Sequence, residues 1–282
     1  MRKILLKNNS KWLSQSLKFS SKPVEALVFG SLFFASNISS PSNLGAKEKP
    51  ASEKSAEDSS KTKLPLSVRP EVQTAEWAVQ WWMPRHEQKL KEKGALKNCQ
   101  LVWIGDSITH GWEGEGKEIW SEKYAKYDSL NLGFSGDRTE QVLWRLDHGA
   151  VEGLNPKLVV LMIGTNNAGH RQEPSEETAQ GITAIVQDLK KRLPNSKLLV
   201  LGVFPRGETP SDSLRKLNEK TNQLIAPLAD NKQVFFLDIS KSFLDSNGNL
   251  PADIMPDRLH PNRKGYELWA QAIDGKLGEL LK

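Results

Sequence analysis

The sequence predicts an α/β protein, a three-layer α/β/α sandwich built on a five-stranded parallel sheet. Two observations carry that reading. Five apolar, β-branched or aromatic runs (Leu101–Ile104, Ser129–Leu132, Leu158–Ile163, Lys197–Val203 and Val234–Ile239) alternate with segments of helical periodicity. Several runs are apolar at consecutive positions rather than at every second one, the pattern of strands covered on both faces. Right-handed crossovers between parallel strands then place helices on each side of the sheet.

In chain order, the first helix-like stretch is Thr74–Lys93, where Trp77, Trp81, Met83 and Leu90 are interleaved with Glu76, Arg85, Glu87 and Lys91. Its adjacent Trp81 and Trp82 suggest a carbohydrate platform. Aromatics at helical spacing more often pack on the domain body. Helical periodicity returns at Lys117–Tyr127, Thr139–His148, Ser175–Leu193 and Ser213–Ala229, and a last helix is expected at Lys264–Leu281. No internal repeat is evident, and residues 71–282 read as one domain.

The residues ahead of that domain differ in kind. Residues 1–45 carry six bases (Arg2, Lys3, Lys7, Lys11, Lys18, Lys22) against the single acid Glu25, which is the whole +5 of the chain. The rest is balanced, so the high pI gives no reason to expect a nucleic-acid footprint on the domain. After the basic region come the apolar residues Ala26–Ala35 and then small and polar ones. This is the order of a secretory signal peptide, and it implies export, periplasmic or secreted. An uncut membrane anchor is the alternative, although the run is about half of the roughly 20 residues a span requires. Residues 46–70, rich in Lys, Glu, Ser and Pro, read as a disordered charged linker. Cys99 is the only cysteine, so no internal disulfide forms, and it reads as a small packed residue.

Four short stretches carry the chemistry: Ile104–Ser107, Asn131–Gly133, Gly164–Asn167 and Asp257–His260. Three lie where an apolar run ends, and the fourth opens the C-terminal helix. In open parallel sheets ligands gather at the carboxyl ends of the strands, so these stretches should meet in space. Ser107 follows a glycine-led exit from the first strand and can expose its hydroxyl while its own N–H faces an oxyanion. The alternative is a plain helix N-cap. Asp257 and His260, three apart in a turn, can share one side, the carboxylate fixing the tautomer of an imidazole that takes the Ser107 proton. Gly133 offers a backbone N–H and Asn166 a side-chain NH₂ to the oxyanion, with Asn167 the weaker candidate of the two amides. These groups make a complete acyl-transfer site.

Rivals are few. Ser135, in Gly133-Phe-Ser-Gly136, also follows a strand, but Gly136 comes directly after it and the nucleophile-elbow spacing is missing. Among the five histidines only His260 has a carboxylate partner with turn residues around it; His86, His110, His148 and His170 lack that setting, although His110 and His170 fall near strand ends and could line a pocket. A cation held by Asp257, His260 and His110 is the metal alternative. No HExxH, paired-Cys spacing, Walker loop or strand-linked GxGxxG occurs, so no metal and no cofactor is expected.

The four stretches resemble the blocks of the SGNH, or GDSL-type, hydrolase superfamily over about residues 98–282. Asn131–Asp137, Val142–Leu146, Gly164–Asn167 and Pro205–Glu208 look most like the catalytic subunits of platelet-activating factor acetylhydrolase type and their bacterial relatives. The resemblance implies a flavodoxin-like sheet of order 2-1-3-4-5. It also implies Ser107 as nucleophile, His260 as base, Asp257 as its partner, and Ser107 N–H, Gly133 N–H and Asn166 as oxyanion donors. The expected activity is that of a serine esterase on short acyl groups, acetyl first, with acetylated carbohydrate as the preferred substrate class and a homodimer as a possible assembly. Competing readings are a lysophospholipase or thioesterase acting on longer chains, and a non-catalytic binding module of the same fold. The leader and charged spacer depart from the intracellular eukaryotic members.

Overall fold

The structure, a computed structural model, describes residues 64–282. The leader and most of the charged spacer therefore lie outside the described residues. Five strands, β1 (Leu101–Gly105), β2 (Leu130–Gly133), β3 (Leu158–Met162), β4 (Lys197–Leu201) and β5 (Val234–Leu237), form one sheet, parallel throughout, in the order β2-β1-β3-β4-β5. The helices are α1 (Trp82–Ala95), α2 (Ser107–His110), α3 (Lys117–Lys123), α4 (Thr139–Asp147), α5 (Thr165–Arg171), α6 (Ser175–Arg192), α7 (Ser213–Ile225) and α8 (Arg263–Leu280). The expected sandwich and strand order are both present.

Strand side chains alternate between two apolar layers, which explains why the runs had to be apolar throughout. Leu101, Trp103, Val160, Met162, Leu199 and Leu201 join Trp269, Ile273 and Leu277 of α8 on one face. Val102, Ile104, Leu132, Val159, Leu161 and Val200 join Val142 of α4 and Ile182, Ile185 and Leu189 of α6 on the other. Trp103 stands at the centre of the first layer, its ring 4.9 Å from that of Tyr124 and 5.6 Å from those of Trp112 and Trp269. Burying each such side chain contributes about 1.5–3 kcal/mol. Among the described residues no helix is long and apolar enough to cross a membrane.

Two boundaries differ from expectation. The helix anticipated over Thr74–Lys93 begins only at Trp82, and Glu76–Trp81 form turns instead. Pro84 accounts for this: it has no N–H to give the Gln80 carbonyl, and its ring crowds that carbonyl, so the helix cannot run back through it. The end of the expected linker is likewise packed. Leu66–Val68 form a 3-10 turn in which Ser67 is fully buried, its Oγ donating to the Glu177 carbonyl at 2.7 Å and its own carbonyl accepting from Thr139 Oγ1 at 2.8 Å.

Candidate active site

The register of the sheet brings the strand ends level. Gly105 of β1 lies opposite Gly133 of β2 and Met162 of β3, so the residues that follow all emerge at one carboxyl edge. Asp106 caps α2, accepting the Ile108 N–H at 3.0 Å. Ser107 is then the first residue of α2, where a backbone N–H has no acceptor within its own helix. At Gly133 a Cβ would stand 2.2 Å from the His110 nitrogen, so only glycine lets β2 approach α2 this closely. Gly164, with φ of 130°, makes the turn that starts α5 and sets Asn166 in its first coil, a conformation open only to glycine.

Ser107 Oγ lies 2.8 Å from His260 Nε2. His260 Nδ1 is 2.6 Å from Asp257 Oδ2, while Asp257 Oδ1 accepts the His260 and Leu259 amides at 2.7 and 3.1 Å. Partial desolvation pushes the Asp257 carboxyl up, but these bonds from His260 and Leu259 outweigh it and hold the group below its usual range. The turn that carries the pair is itself held in place. Arg258, at φ 60°, adopts a left-handed conformation costing a non-glycine residue about 1 kcal/mol. Its carbonyl accepts the Gly207 N–H at 2.9 Å and its guanidinium pairs with Glu208 at 2.9 Å, so the Pro205–Glu208 stretch braces the turn. From α8, Tyr266 donates to the Ile108 carbonyl at 2.6 Å and fixes α2 against the helix that follows His260.

The candidate oxyanion donors differ in the partners they already have. Asn166 Nδ2 donates to the Asp137 carbonyl at 2.9 Å, and its second N–H remains to be given. The Gly133 N–H already donates to Asn131 Oδ1 at 2.8 Å, and Asn131 Nδ2 in turn donates to the Thr109 carbonyl at 3.1 Å. A substrate oxygen would therefore share or displace the Asn131 acceptor. Asn167 is structural: its Oδ1 accepts the Thr139 N–H and its Nδ2 binds Thr139 Oγ1, each at 3.1 Å, and Glu173. Arg171 joins Glu140 of α4 to Glu173, so α5 is tied down beside the sheet.

The site opens into a cleft of about 510 Å³ lined by Ser107, His110, Gly111, Glu113, Gly114, Ser135 and His260. No long aliphatic side chain lines it. A second hollow of about 390 Å³ lies on the other flank of His260, beside Asp257 and Pro261. A wider hollow of about 640 Å³ sits along α6 with Leu64, Val68 and Leu224, none of which touches the Ser107 cleft. Ser135, the rival serine, is 3.0 Å from His110 Nδ1. Burial, reinforced by the Arg85 charge, pushes His110 down to about 4 and makes it a poor base. Cys99 is buried, its thiol pushed up to about 11 by that burial. Among the described residues no three His, Cys, Asp or Glu side chains are grouped as metal ligands would be.

Sequence reasoning missed a buried clamp. Arg85 of α1 donates from Nε to the Gly133 carbonyl at 3.0 Å and forks onto Glu113 with two bonds of 2.9 Å. Beside it Trp82 donates to Asp137 at 2.6 Å, and Asp137 pairs with the fully buried Arg145 at 2.9 Å. Asp137 thus steadies the peptide that holds Asn166. Charged residues on a helix otherwise read as solvent-facing gave the only signal, and it pointed the other way.

A parallel sheet in this order, with a serine–histidine–aspartate chain at its carboxyl edge, is a layout suited to acyl transfer. The chain belongs to the GDSL-like lipase/acylhydrolase family, whose sequence model matches residues 103–268, and it is accordingly a carboxylic ester hydrolase. It is 38% identical over 201 residues to platelet-activating factor acetylhydrolase IB subunit alpha1 of Bos taurus, covering 71% of this chain and 84% of that one. With subunit alpha2 of Rattus norvegicus it shares 37% identity over 202 residues, 71% and 85% of the two chains. Among solved structures, a GDSL-like lipase from Bacteroides thetaiotaomicron has the same fold at a TM-score of 0.57 and 22% identity, covering 69% of this chain and 97% of that one. An acetylxylan esterase from Geobacillus stearothermophilus matches at 0.53 and 19%, covering 64% and 94%.

Proposed function

We propose that this protein is an exported serine esterase that removes acetyl groups from carbohydrate. Ser107 is the nucleophile, His260 the base and Asp257 its orienting partner. The Ser107 and Gly133 amides and the Asn166 side chain receive the oxyanion. Ser107 Oγ attacks the ester carbonyl carbon as its proton passes to His260 Nε2, and the imidazolium returns that proton to the departing sugar alcohol. Water, deprotonated by the same ring, then attacks the acyl-serine, and acetic acid leaves. A side-chain donor such as Asn166 contributes roughly 3–4 kcal/mol to such a transition state.

The observation that carries this reading is the Ser107–His260–Asp257 relay, with contacts of 2.8 and 2.6 Å, at the edge of a cleft lined by glycines and polar side chains. Such a lining leaves a long acyl chain without apolar contacts and suits a small acyl group on a polar alcohol. The name of the Geobacillus neighbour, an acetylxylan esterase, supports the same choice, and the leader of residues 1–45 supports export. A chain-length series of p-nitrophenyl esters tests the acyl preference: kcat/KM should be greatest for acetate, and a maximum at eight carbons or more would sink the reading. Acetate release from acetylated xylooligosaccharide tests the alcohol.

A further inference from the structure

The turn region ahead of α1 leaves an aromatic surface beside the cleft. Trp77 is 55% exposed, an unusual state for an indole, and Trp81 is half-buried next to it, their ring centroids 6.2 Å apart with an interplanar angle of 32°. Trp81 leads on to His110, 6.1 Å away ring to ring, and His110 lines the same cleft as Ser107. Neighbouring Trp82 is 1% exposed and packs against Phe134, so of the two adjacent tryptophans only Trp81 faces outward.

The pair is preorganised. A Cβ at Gly136 would lie 2.0 Å from the Trp77 ring, and Gly136 has a φ of 76°, so the loop after β2 has glycine where the indole rests on it. The Trp81 ring is turned by its Nε1–H, which donates to the Trp77 carbonyl at 3.1 Å and so takes its polar edge out of use. What remains outward is flat, apolar ring face. Toward the cleft it gives way to Glu113, His110 and Ser135, groups able to bond hydroxyls.

From this arrangement we infer that Trp77 and Trp81 form a stacking platform for the pyranose rings of a glycan chain whose acetylated residue is presented to Ser107. The inference rests on the carbohydrate reading above and adds the groups that hold the alcohol portion. A sugar ring matches such a surface because its C–H face packs on an indole while its equatorial hydroxyls stay at the rim, within reach of polar neighbours. A lipid surface would bury ring edges and aliphatic neighbours alike. Here Val79 is the only exposed large aliphatic near the pair in sequence, and the cleft has no apolar bed for a chain.

Binding and hydrolysis test this separately. Ser107→Ala protein, which cannot turn over, should bind unacetylated xylohexaose in a calorimeter, and adding Trp77→Ala or Trp81→Ala should weaken that binding about tenfold, with Trp77→Phe recovering part of the loss. No measurable xylohexaose binding, or binding untouched by either substitution, would overturn the platform. In the enzyme with Ser107 intact, the ratio of kcat/KM on acetylated xylooligosaccharide to that on p-nitrophenyl acetate should fall about tenfold in Trp77→Ala, the change residing in KM. An unchanged ratio overturns the platform, as does a loss seen only on phosphatidylcholine vesicles. If xylohexaose binds through Trp77 but the intact enzyme frees no acetate from the acetylated oligomer, the platform stands and the proposed ester does not.

Discussion

The cleft contains two serine–histidine pairs that look alike until one asks what lies behind each histidine. Ser107 Oγ is 2.8 Å from His260 Nε2, and Ser135 Oγ is 3.0 Å from His110 Nδ1. Behind His260 stands the Asp257 carboxylate at 2.6 Å. Behind His110 stands Glu113 at 3.9 Å, already engaged by Arg85 and Lys89, whose positive charges oppose a second cation there. Burial and the Arg85 charge push His110 down to about 4. Closeness of hydroxyl to imidazole does not make a base. What separates the two is burial of the His110 ring and a carboxylate behind it that Arg85 and Lys89 already hold, against an Asp257 carboxylate bonded directly to His260.

The largest expected effect separates the two pairs outright. Ser107→Ala and His260→Ala should each lower kcat on p-nitrophenyl acetate by about a millionfold if the relay acts as one unit, whereas Ser135→Ala should leave it within a few-fold of the unaltered enzyme. The opposite pattern would exchange the roles of the two serines. Next in size is Asp257→Asn, which keeps the shape but presents the wrong hydrogen to the ring, with an expected loss of about 10⁴ in kcat. A loss no greater than tenfold would mean that the exposed carboxylate matters little to the base.

A smaller effect is expected on the Arg85 clamp. Arg85→Lys keeps the charge beside His110 but cannot fork onto Glu113 while also holding the Gly133 carbonyl, so the loop at Gly133 loosens. A fall of roughly tenfold in kcat with KM little changed is expected, because in the proposed mechanism only transition-state binding uses the Gly133 amide. Equal changes in both would assign Arg85 to substrate binding instead.

The mildest test concerns the buried carboxyl next to Ser107. Burial pushes Asp106 up from 3.8 to about 7, so between those values the folded protein keeps a proton that the unfolded chain has released. The Asp106 contribution to stability should therefore fall as pH rises from about 4 to about 7 and level off above it, set against His110, whose lowered value makes stability rise with pH from about 4 to about 6.5. Asp137, raised to about 6 mainly by burial, contributes in the same direction as Asp106. Asp106→Asn still accepts the Ile108 N–H and should flatten part of that slope in thermal melts. An unchanged profile would remove Asp106 as its source.

Strand ends were legible in the sequence because complete burial on both faces forces continuous apolar runs, and the first three runs end within three residues of Ser107, Gly133 and Asn166. Asp257 and His260 could be paired from local spacing, since the turn joining them is three residues long, whereas Ser107 was singled out only together with the other stretches. The order of the strands came with the family resemblance. Asn131 binding the Gly133 amide was hidden because the adjacent Leu132 and Gly133 made the stretch read as an ordinary strand end. The Arg85 clamp joins residues 48 apart, and its arginine sits among helix charges that look solvent-facing. The late start of α1 was available in Pro84, whose missing N–H the periodicity of the surrounding tryptophans obscured. That turn then leaves Trp77 outside the helix.

The Tyr266 hydroxyl that reaches Ile108 has a consequence for how the protein fails. Ser107 and His260 are separated by 153 residues, and this bond from α8 is a strut between the segments that carry them. The sheet does not depend on it, since its strands are joined by their own ladder and by two apolar layers. Loosening the C-terminal helix would thus part His260 from Ser107 while the strands stayed paired. Activity is then a finer gauge of local fraying than any spectroscopic measure of the whole fold, and in mild denaturant it should vanish first.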